Sequence, residues 1–192
     1  MNAALRAKAI LAAPADAWSR IENESGDAAD LLSRYVAPLA LIPALSGFIG
    51  ACFIGVAVPG VGTVRAPIFD GLFGAVFGYV MTCATVLVLA VLIDVVAPMF
   101  GGRRDFSSAF KLAVYSYTPV WLTGIFLLAP GLRFLGLTGF YGAYILWMGL
   151  PALVKSSAQR TPAFAAAIVA CACALIFIAG ALQRALFGTA AY

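Results

Sequence analysis

The sequence contains no histidine and few charged residues of either sign. Of 192 residues, 8 are Asp or Glu and 12 are Lys or Arg, so 10% of the chain is charged. Average soluble domains are about 25% charged. Histidine is the commonest metal ligand and a frequent general base near neutral pH, so its absence argues against a metal site and against most acid–base catalysis. We therefore predict that the protein is not an enzyme and needs no cofactor.

Cysteine is also scarce, with four residues that all lie in uncharged sequence. Cys171 and Cys173 are two apart, which places them on nearly opposite sides of a helix. Together with Cys52 and Cys83 they form neither a metal-ligand spacing nor a disulfide framework. The net charge of +4 on so apolar a chain also argues against nucleic-acid binding.

The sequence has an excess of apolar side chains, which make up 64% of residues against about 45–50% in soluble domains. They gather in five stretches without charge, of which the shortest has 21 residues. A helix of that length reaches roughly 31 Å, enough to cross a hydrocarbon core about 30 Å thick. The stretches are 35–64, 71–93, 112–132, 134–154 and 161–183.

The sequence therefore predicts an all-α membrane protein, a bundle of about five transmembrane helices preceded by a short interfacial helix. Helices are expected because backbone amides in lipid need partners within their own segment. The first stretch is too long for one crossing, and Pro59, Gly60 and Gly62 mark its exit. We divide the chain into a cytoplasmic segment over 1–34, a transmembrane domain over 35–187 and a tail over 188–192. The predicted spans are 35–58, 71–96, 110–130, 133–154 and 161–186.

Basic residues are concentrated on one side of this predicted topology. With five crossings, the side of the N-terminus holds nine of the 12 basic residues, and the other side holds Arg65, Arg133 and Arg184. Cytoplasmic loops carry the excess of basic residues in membrane proteins. We therefore predict a cytoplasmic N-terminus, an external C-terminus and a place in the plasma membrane, specifically a bacterial inner membrane. The nine residues are Arg6, Lys8, Arg20, Arg34, Arg103, Arg104, Lys111, Lys155 and Arg160.

The first 34 residues differ from the rest because they hold five of the eight acidic residues. Their early apolar run is short, is interrupted by Pro14 and leads into charged sequence, unlike a cleaved signal peptide. A helix that opens at Pro14 would place Trp18 and Ile21 on one face and turn Glu22 and Glu24 away. We predict that this helix lies in the headgroup layer or docks beneath the bundle; the alternative is a tethered leader.

A series of short motifs resembles the prokaryotic branch of the Yip1 family. The likeness runs from about Pro14 to Phe187 and rests on the order and spacing of the motifs, because each one is short. The motifs are 14–24 (PADAWSRIENE), 31–32 (LL), 35–39 (YVAPL), 100–102 (FGG), Phe106, 115–119 (YSYTP), 139–144 (GFYGAY) and 149–150 (GL).

The resemblance implies a five-span membrane protein with a cytoplasmic N-terminus. Eukaryotic members of the family are associated with Rab-type GTPases and with vesicle traffic between the endoplasmic reticulum and the Golgi. That role is not implied for this chain, because the long cytoplasmic region of those members is reduced to 34 residues.

Asp94 and two nearby arginines are candidate contacts at the cytoplasmic end of the second predicted span. A charge at the bilayer centre costs about 2.5–3.5 kcal/mol, so an acidic residue in a span is a functional candidate by default. Asp94 lies near the headgroups, and we favour an interfacial ion pair or helix anchor over a proton site, a cation site or a partner contact. The turn after it is too short for a nucleotide-binding loop. It lays Arg103 and Arg104 against anionic headgroups, or holds a phosphate-bearing lipid or a cytoplasmic protein.

The third predicted span carries hydroxyl groups directly before Pro119. Proline removes a backbone donor and kinks a helix, which a bilayer tolerates when neighbours satisfy the freed carbonyl. The hydroxyls of 115–118 support this kink or line a polar crevice for a substrate. We favour the first interpretation and keep Tyr115, Tyr117 and Pro119 as candidate contacts for a lipid or a partner.

Two further patterns predict helix packing. Tyr141, Tyr144 and Trp147 recur three apart in the fourth span, which favours packing between helices over a binding groove. Gly74 and Gly78 have the GxxxG spacing that lets helix backbones approach closely, and this favours tight internal packing over dimerisation.

Two classes of function remain. We favour a membrane organiser that binds anionic lipid headgroups on the cytoplasmic side, another membrane protein or a second copy of itself. The alternative is a small transporter, lipid flippase or channel that acts as an oligomer. Against transport, no span carries the buried ionisable pair of an ion-coupled carrier.

Overall fold

A computed structural model of the protein describes residues 3–24, 27–58 and 62–187. These residues are helical almost throughout and include one two-stranded hairpin. Within the described ranges, four helical segments are long and apolar enough to cross a membrane: Ala28–Ile54, Ile68–Phe100, Gly131–Val154 and Thr161–Leu186. The predicted class, an all-α membrane bundle, is confirmed.

Helices of very different length follow one another along the chain. The α-helices are α1 (Ala3–Ala12), α2 (Pro14–Glu22), α3 (Ala28–Leu31), α4 (Ala37–Ile49), α5 (Ile68–Val96), α6 (Phe106–Ser116), α7 (Thr118–Thr123), α8 (Tyr141–Gly149) and α9 (Thr161–Phe187). The strands are β1 (Val56–Val58) and β2 (Gly62–Val64). Turns of π-helix cover Leu32–Val36, Gly50–Ile54 and Leu150–Val154, and 3-10 helix covers Ala97–Phe100, Gly124–Leu128 and Pro130–Phe140.

The first predicted span, 35–58, differs from the structure at both ends. Helical structure already begins at Ala28, because the side chain of Asp27 accepts a hydrogen bond from the Ala29 N–H at 3.3 Å and caps the helix. It stops after Ile54, where Gly55 adopts φ +80°.

A small hairpin follows in place of the last predicted turn of that span. Strands β1 and β2 pair antiparallel, with Val56 opposite Val64 and Val58 opposite Gly62. Of the residues that predicted the exit from the membrane, Gly62 begins β2, while Pro59 and Gly60 lie outside the described residues.

The third predicted span, 110–130, is broken rather than continuous. Helix α6 ends at Ser116, Tyr117 forms a turn, and α7 soon gives way to 3-10 helix. Pro119 provides the physical reason, because it has no N–H to donate to the Tyr115 carbonyl and its ring crowds that oxygen. Among the described residues there are thus four continuous span-length helices and one broken segment, where the sequence predicted about five spans.

The broken segment nevertheless runs the length of the bundle. At one end, the Lys111 ammonium donates to the carbonyl of Glu24. At the other end, Gly50 of the first span lies so close to the Leu127 carbonyl that a Cβ there would overlap it. Gly124 likewise lies directly against the ring of Pro43.

We call one end of the bundle the basic end, because Arg103, Arg104, Lys111, Lys155 and Arg160 gather there. The Arg103 N–H donates to the Val154 carbonyl at 2.8 Å, which joins the α5–α6 turn to the end of the fourth span. The Arg160 guanidinium donates to the Met99 carbonyl at 3.2 Å. Arg103 and Lys155 therefore lie at the same end, as predicted.

We call the other end the hairpin end, because it carries β1 and β2. The thiol of Cys52, before the hairpin, lies 3.7 Å from the Pro67 carbonyl after it. On α9, the Gln183 amide donates to the Gly74 carbonyl of α5 at 3.2 Å. Gly74 is buried at this contact, which agrees with the predicted internal packing of the GxxxG face.

The N-terminal segment docks onto the basic end. Helix α2 begins at Pro14 as predicted, with Trp18 and Ile21 each 1% exposed and Glu22 at the surface. Its buried face packs against α8 and the π-helical turn that follows. Docking, rather than an isolated helix in the headgroup layer or a loose leader, is what the structure shows. Sequence analysis missed α1, which places Ile10 in the same core.

Of the residues predicted to pack between helices, Tyr141 contacts α1, where its hydroxyl donates to the Leu11 carbonyl at 3.1 Å. The side chains of Tyr141, Tyr144 and Trp147 are largely exposed and contact one another: Tyr141 stacks on Tyr144 at 5.6 Å between ring centroids, and Tyr144 meets Trp147 edge-to-face at 6.2 Å. The inward face of α8 is instead formed by Ile145 and Leu146. Exposed Tyr and Trp side chains are typical of the membrane interface.

Candidate functional site: the basic end and two lateral clefts

The turn between α5 and α6 presents two arginines at the basic end. Gly101 has φ +75°, which favours glycine, and a Cβ on Gly102 would lie 2.9 Å from the Val154 carbonyl oxygen. The turn is held against the end of the fourth span by the hydrogen bond from Arg103. Both Arg103 and Arg104 are exposed.

Asp94 pairs with one of these arginines. The Arg104 guanidinium lies 3.3 Å from Asp94 Oδ2, and the two side chains are 61% and 14% exposed. The structure thus contains the ion pair that the sequence favoured. The second carboxylate oxygen of Asp94 is buried without a hydrogen-bond partner among the described residues.

Asp105 caps α6 beside the same turn. Its carboxylate accepts hydrogen bonds from the Ser108 hydroxyl at 2.6 Å and from the Ser107 N–H at 3.2 Å. The Ser108 bond is the main cause that lowers the pKa of Asp105, and the charge of Arg103 adds to it. Asp105 therefore stays ionised and holds the start of α6 at the basic end.

Exposed apolar side chains lie beside the arginines. Met99 is 71% exposed and Phe106 is 44% exposed. Cationic groups next to exposed apolar groups suit the boundary between headgroups and acyl chains. The basic end therefore has the composition of a surface that rests in the headgroup layer.

The remaining predicted contacts, Tyr115, Tyr117 and Pro119, are buried in the core. The Tyr115 ring lies edge-on to Tyr35 at 5.0 Å between centroids and to Trp18 at 6.1 Å. Buried in this way, Tyr115 presents no surface to a partner. Its role as a contact stays a prediction, and its observed neighbours are those of a packing residue.

Hydrogen bonds between hydroxyl and indole groups surround the break in the third segment. The hydroxyls of Tyr35 and Thr118 lie 2.8 Å apart, and the Trp121 indole N–H donates to the Thr82 hydroxyl at 3.1 Å. The Ser116 hydroxyl is buried without a partner among the described residues. Most of these polar groups therefore support the break, which is the interpretation favoured from the sequence.

Two cavities open between α9 and its neighbours. The first, which we call the long cleft, has a volume of about 600 Å³ and lies between α9, α5, the α6–α7 break and the Gly136–Leu146 stretch. Its lining is almost entirely apolar and includes Tyr117. The second, the short cleft, has a volume of about 400 Å³ and reaches Thr82, Trp121 and Gln183. Val120, Gly180 and Arg184 line both clefts.

Along one wall of the long cleft, glycines spaced three residues apart carry no side chain. In 3-10 helix, residues i and i+3 share a face, so Gly136 and Gly139 align. A Cβ on Gly139 would lie 3.1 Å from the Thr123 hydroxyl, and one on Gly142 would overlap the Ser116 carbonyl. A Cβ on Gly136 would meet nothing within 4 Å. The glycine spacing is the sequence signal for this cleft, and sequence analysis did not use it.

Two arginines at the ends of predicted spans, Arg133 and Arg184, line the clefts. Arg133 lines the short cleft, and its Nε is buried without a hydrogen-bond partner among the described residues. Arg184 donates from Nε to the Gly180 carbonyl at 3.2 Å, within its own helix. From the sequence, both residues were identified only as positive charges on the outer side of the predicted topology.

The described residues contain no group of three or more His, Cys, Asp or Glu side chains placed to hold a metal ion. All four cysteines are free.

Continuous apolar helices, a buried hydrogen-bonded core and exposed apolar faces define a polytopic α-helical membrane protein. Residues 8–181 match the model of the Yip1 domain, and the chain belongs to that family. The resemblance found in the sequence is thereby confirmed.

The chain is also similar to a curated relative in two strains of Escherichia coli, the inner membrane protein YohC. The identity is 28% over 173 residues, which cover 88% of this chain and 88% of the relative. No solved structure matches the chain significantly.

Proposed function

We propose that this Yip1-family protein is a non-enzymatic organiser of a bacterial inner membrane, whose basic end faces the cytoplasm and binds anionic lipid headgroups. The observation that carries the proposal is the fixed turn that exposes Arg103 and Arg104 beside Met99 and Phe106. The inner membrane is inferred from YohC, whose name places it there.

The charge distribution supports this orientation. The basic residues of the second and fourth predicted loops meet at one end of the bundle, where Arg103 bonds the residue before Lys155. Basic residues accumulate on cytoplasmic loops.

Not every cation at the basic end is available to lipid. Lys155 pairs with Glu22, and the Arg6 guanidinium donates to Glu24 at 2.8 Å. Arg103 makes no ion pair with any described residue. It is therefore the basic residue at the turn that is best placed to meet a phosphate.

The proposal is tested by lipid titration of the purified protein in detergent, with native mass spectrometry as the readout. Phosphatidylglycerol and phosphatidylcholine with identical acyl chains serve as the probes. Each exposed arginine near the surface contributes roughly 1 kcal/mol, and Arg104 is already paired with Asp94. At the basic end, R103Q/R104Q should therefore bind phosphatidylglycerol about fivefold to thirtyfold more weakly. Binding of phosphatidylcholine should not change.

R34Q is the matched control, because Arg34 is exposed but pairs with Asp30 one helical turn earlier. An unchanged preference for phosphatidylglycerol in R103Q/R104Q would overturn the proposal. Co-purification of a membrane-protein partner that is lost in R103Q/R104Q would replace lipid by protein as the ligand of this surface.

Transport is the second candidate function, and the lateral clefts are the observation that favours it. The clefts are largely apolar, and at the break the hydroxyls of Tyr35 and Thr118 bond to each other. We therefore expect reconstituted protein to leave the exchange of fluorescent phospholipid between the leaflets of a liposome unchanged. Protein-dependent exchange would favour a flippase instead.

A further inference from the structure

We propose that the two clefts, which meet near the hairpin end, form a binding site for one anionic phospholipid, with its phosphate held between Arg133 and Arg184. One acyl chain lies in the long cleft, and the remainder of the lipid occupies the short cleft. This site is separate from the arginines at the basic end.

The long cleft has the shape of an acyl-chain site. It is lined on α9 from Ile168 to Arg184, a distance of about 24 Å at 1.5 Å per residue. That length is most of a hydrocarbon core about 30 Å thick. Because Gly136 and Gly180 contribute no side chain to its walls, a flexible apolar chain can lie along it.

The two clefts meet where a lipid would branch. Val120, Gly180 and Arg184 belong to both linings, so a molecule with two arms can enter both clefts from this point. The short cleft also offers polar groups, since Gln183 and Arg133 line it. An amphiphile with a charged group at its branch point matches this arrangement.

The charge at the junction is positive and uncompensated. Neither Arg133 nor Arg184 makes an ion pair with a described residue. The buried Nε of Arg133 also lacks a hydrogen-bond acceptor among those residues. Arginine is costly inside a bilayer unless it is paired, and its guanidinium group matches a phosphate. A phosphate at this position would satisfy both requirements.

The occupant is a phospholipid rather than free phosphate or a peptide. Free phosphate would leave the long apolar cleft unfilled. An extended peptide would bring backbone groups that the apolar lining cannot satisfy. A phospholipid supplies both parts of the complementary chemistry and reaches the opening directly from the bilayer.

The test combines native mass spectrometry with crosslinking to full-length protein. Phosphatidylglycerol and phosphatidylcholine of identical chain length are the probes, and a phosphatidylglycerol with a photoreactive acyl chain reports the position. We expect wild-type protein to retain one phosphatidylglycerol preferentially and to be crosslinked at residues 136–143 and 172–180. R133Q/R184Q should retain phosphatidylglycerol about tenfold less well, without a change for phosphatidylcholine.

G136L and G180L fill the long cleft, because a Cβ at Gly136 meets open space and one at Gly180 approaches only the Arg184 side chain, at 4.0 Å. They should lower the retention of both lipids and remove the crosslinks. G131L and R65Q are controls, since Gly131 also faces open space and neither residue lines a cleft. R103Q/R104Q should leave this site unchanged.

Crosslinks confined to the exposed face of α5 at Phe69 and Phe73 would overturn the proposal. So would unchanged retention of phosphatidylglycerol in both R133Q/R184Q and G136L. Thermal unfolding of each variant identifies loss of fold, and the crosslink position in R133Q provides a readout if the double variant does not fold.

Discussion

At the scale of single residues, Trp18 holds the N-terminal segment to the bundle. Its side chain is 1% exposed, and its indole N–H donates to the Ile145 carbonyl at 3.1 Å. A Cβ on Gly149 would lie 2.6 Å from the indole ring, so glycine at that position makes room for it. The sequence identified Trp18 as part of the buried face of α2, but not the pocket that receives it.

We expect W18A to destabilise the protein by about 3–5 kcal/mol, because a large buried side chain is replaced by a cavity. W18F should cost about 1 kcal/mol through loss of the hydrogen bond, in addition to its smaller volume. Thermal unfolding in detergent measures the first effect, and protease cleavage between residues 22 and 28 should increase as α2 detaches.

W147A is the matched control for Trp18, because Trp147 is 47% exposed. Its unfolding temperature should remain close to that of the wild type. Equal losses of stability in W18A and W147A would show that Trp18 has no special part in docking the segment.

At the scale of elements, the third segment shows where local sequence stops being informative. Pro119 predicts a kink, and a break lies next to it, at Tyr117. The change to 3-10 helix over Gly124–Leu128 and Pro130–Phe140 was not predicted, since apolar periodicity does not distinguish the two helix types in so apolar a sequence. The contact of Gly142 with the Ser116 carbonyl depends on α8 as much as on α6.

Gly142 provides the test at this scale. A Cβ there would overlap the backbone carbonyl of Ser116, which cannot rotate away as a side chain can. G142A should therefore destabilise the protein by about 1–3 kcal/mol, as overpacked sites do. G131A should have little effect on unfolding, and equal unfolding temperatures for G142A and wild type would contradict the close contact.

At the scale of the whole molecule, the hydrogen bond from the Arg103 N–H to the Val154 carbonyl connects the second and fourth predicted loops. Charge counting predicted that these loops share one side of the membrane. The structure explains why these loops share one end: the broken third segment still extends from Lys111 at the basic end to Leu127 at the hairpin end. Within the described ranges, four continuous helices are long and apolar enough to cross a membrane, and the broken segment packs beside them.

Cysteine accessibility tests this topology in a variant without the four native cysteines. Single cysteines at Arg103 and Lys155 should react with a membrane-impermeant reagent only from the cytoplasmic side. Single cysteines at Arg65 and Gly131 should react only from the outside. Reaction of positions 103 and 155 from opposite sides would contradict both the orientation and the arrangement of the bundle.

The sequence by itself determined that the helices are surrounded by lipid, that the fold is all-α, and at which end the basic residues gather. These properties follow from composition and from segment length, which local sequence carries in full. The tertiary structure alone decided that α1 and α2 dock through Trp18, that Tyr115 is buried, and that two clefts meet at Arg184. Each of these depends on side chains far apart in the chain, and in lipid helix association depends on close shape fit rather than on apolarity. A sequence whose helices are apolar on nearly every face does not reveal which faces meet.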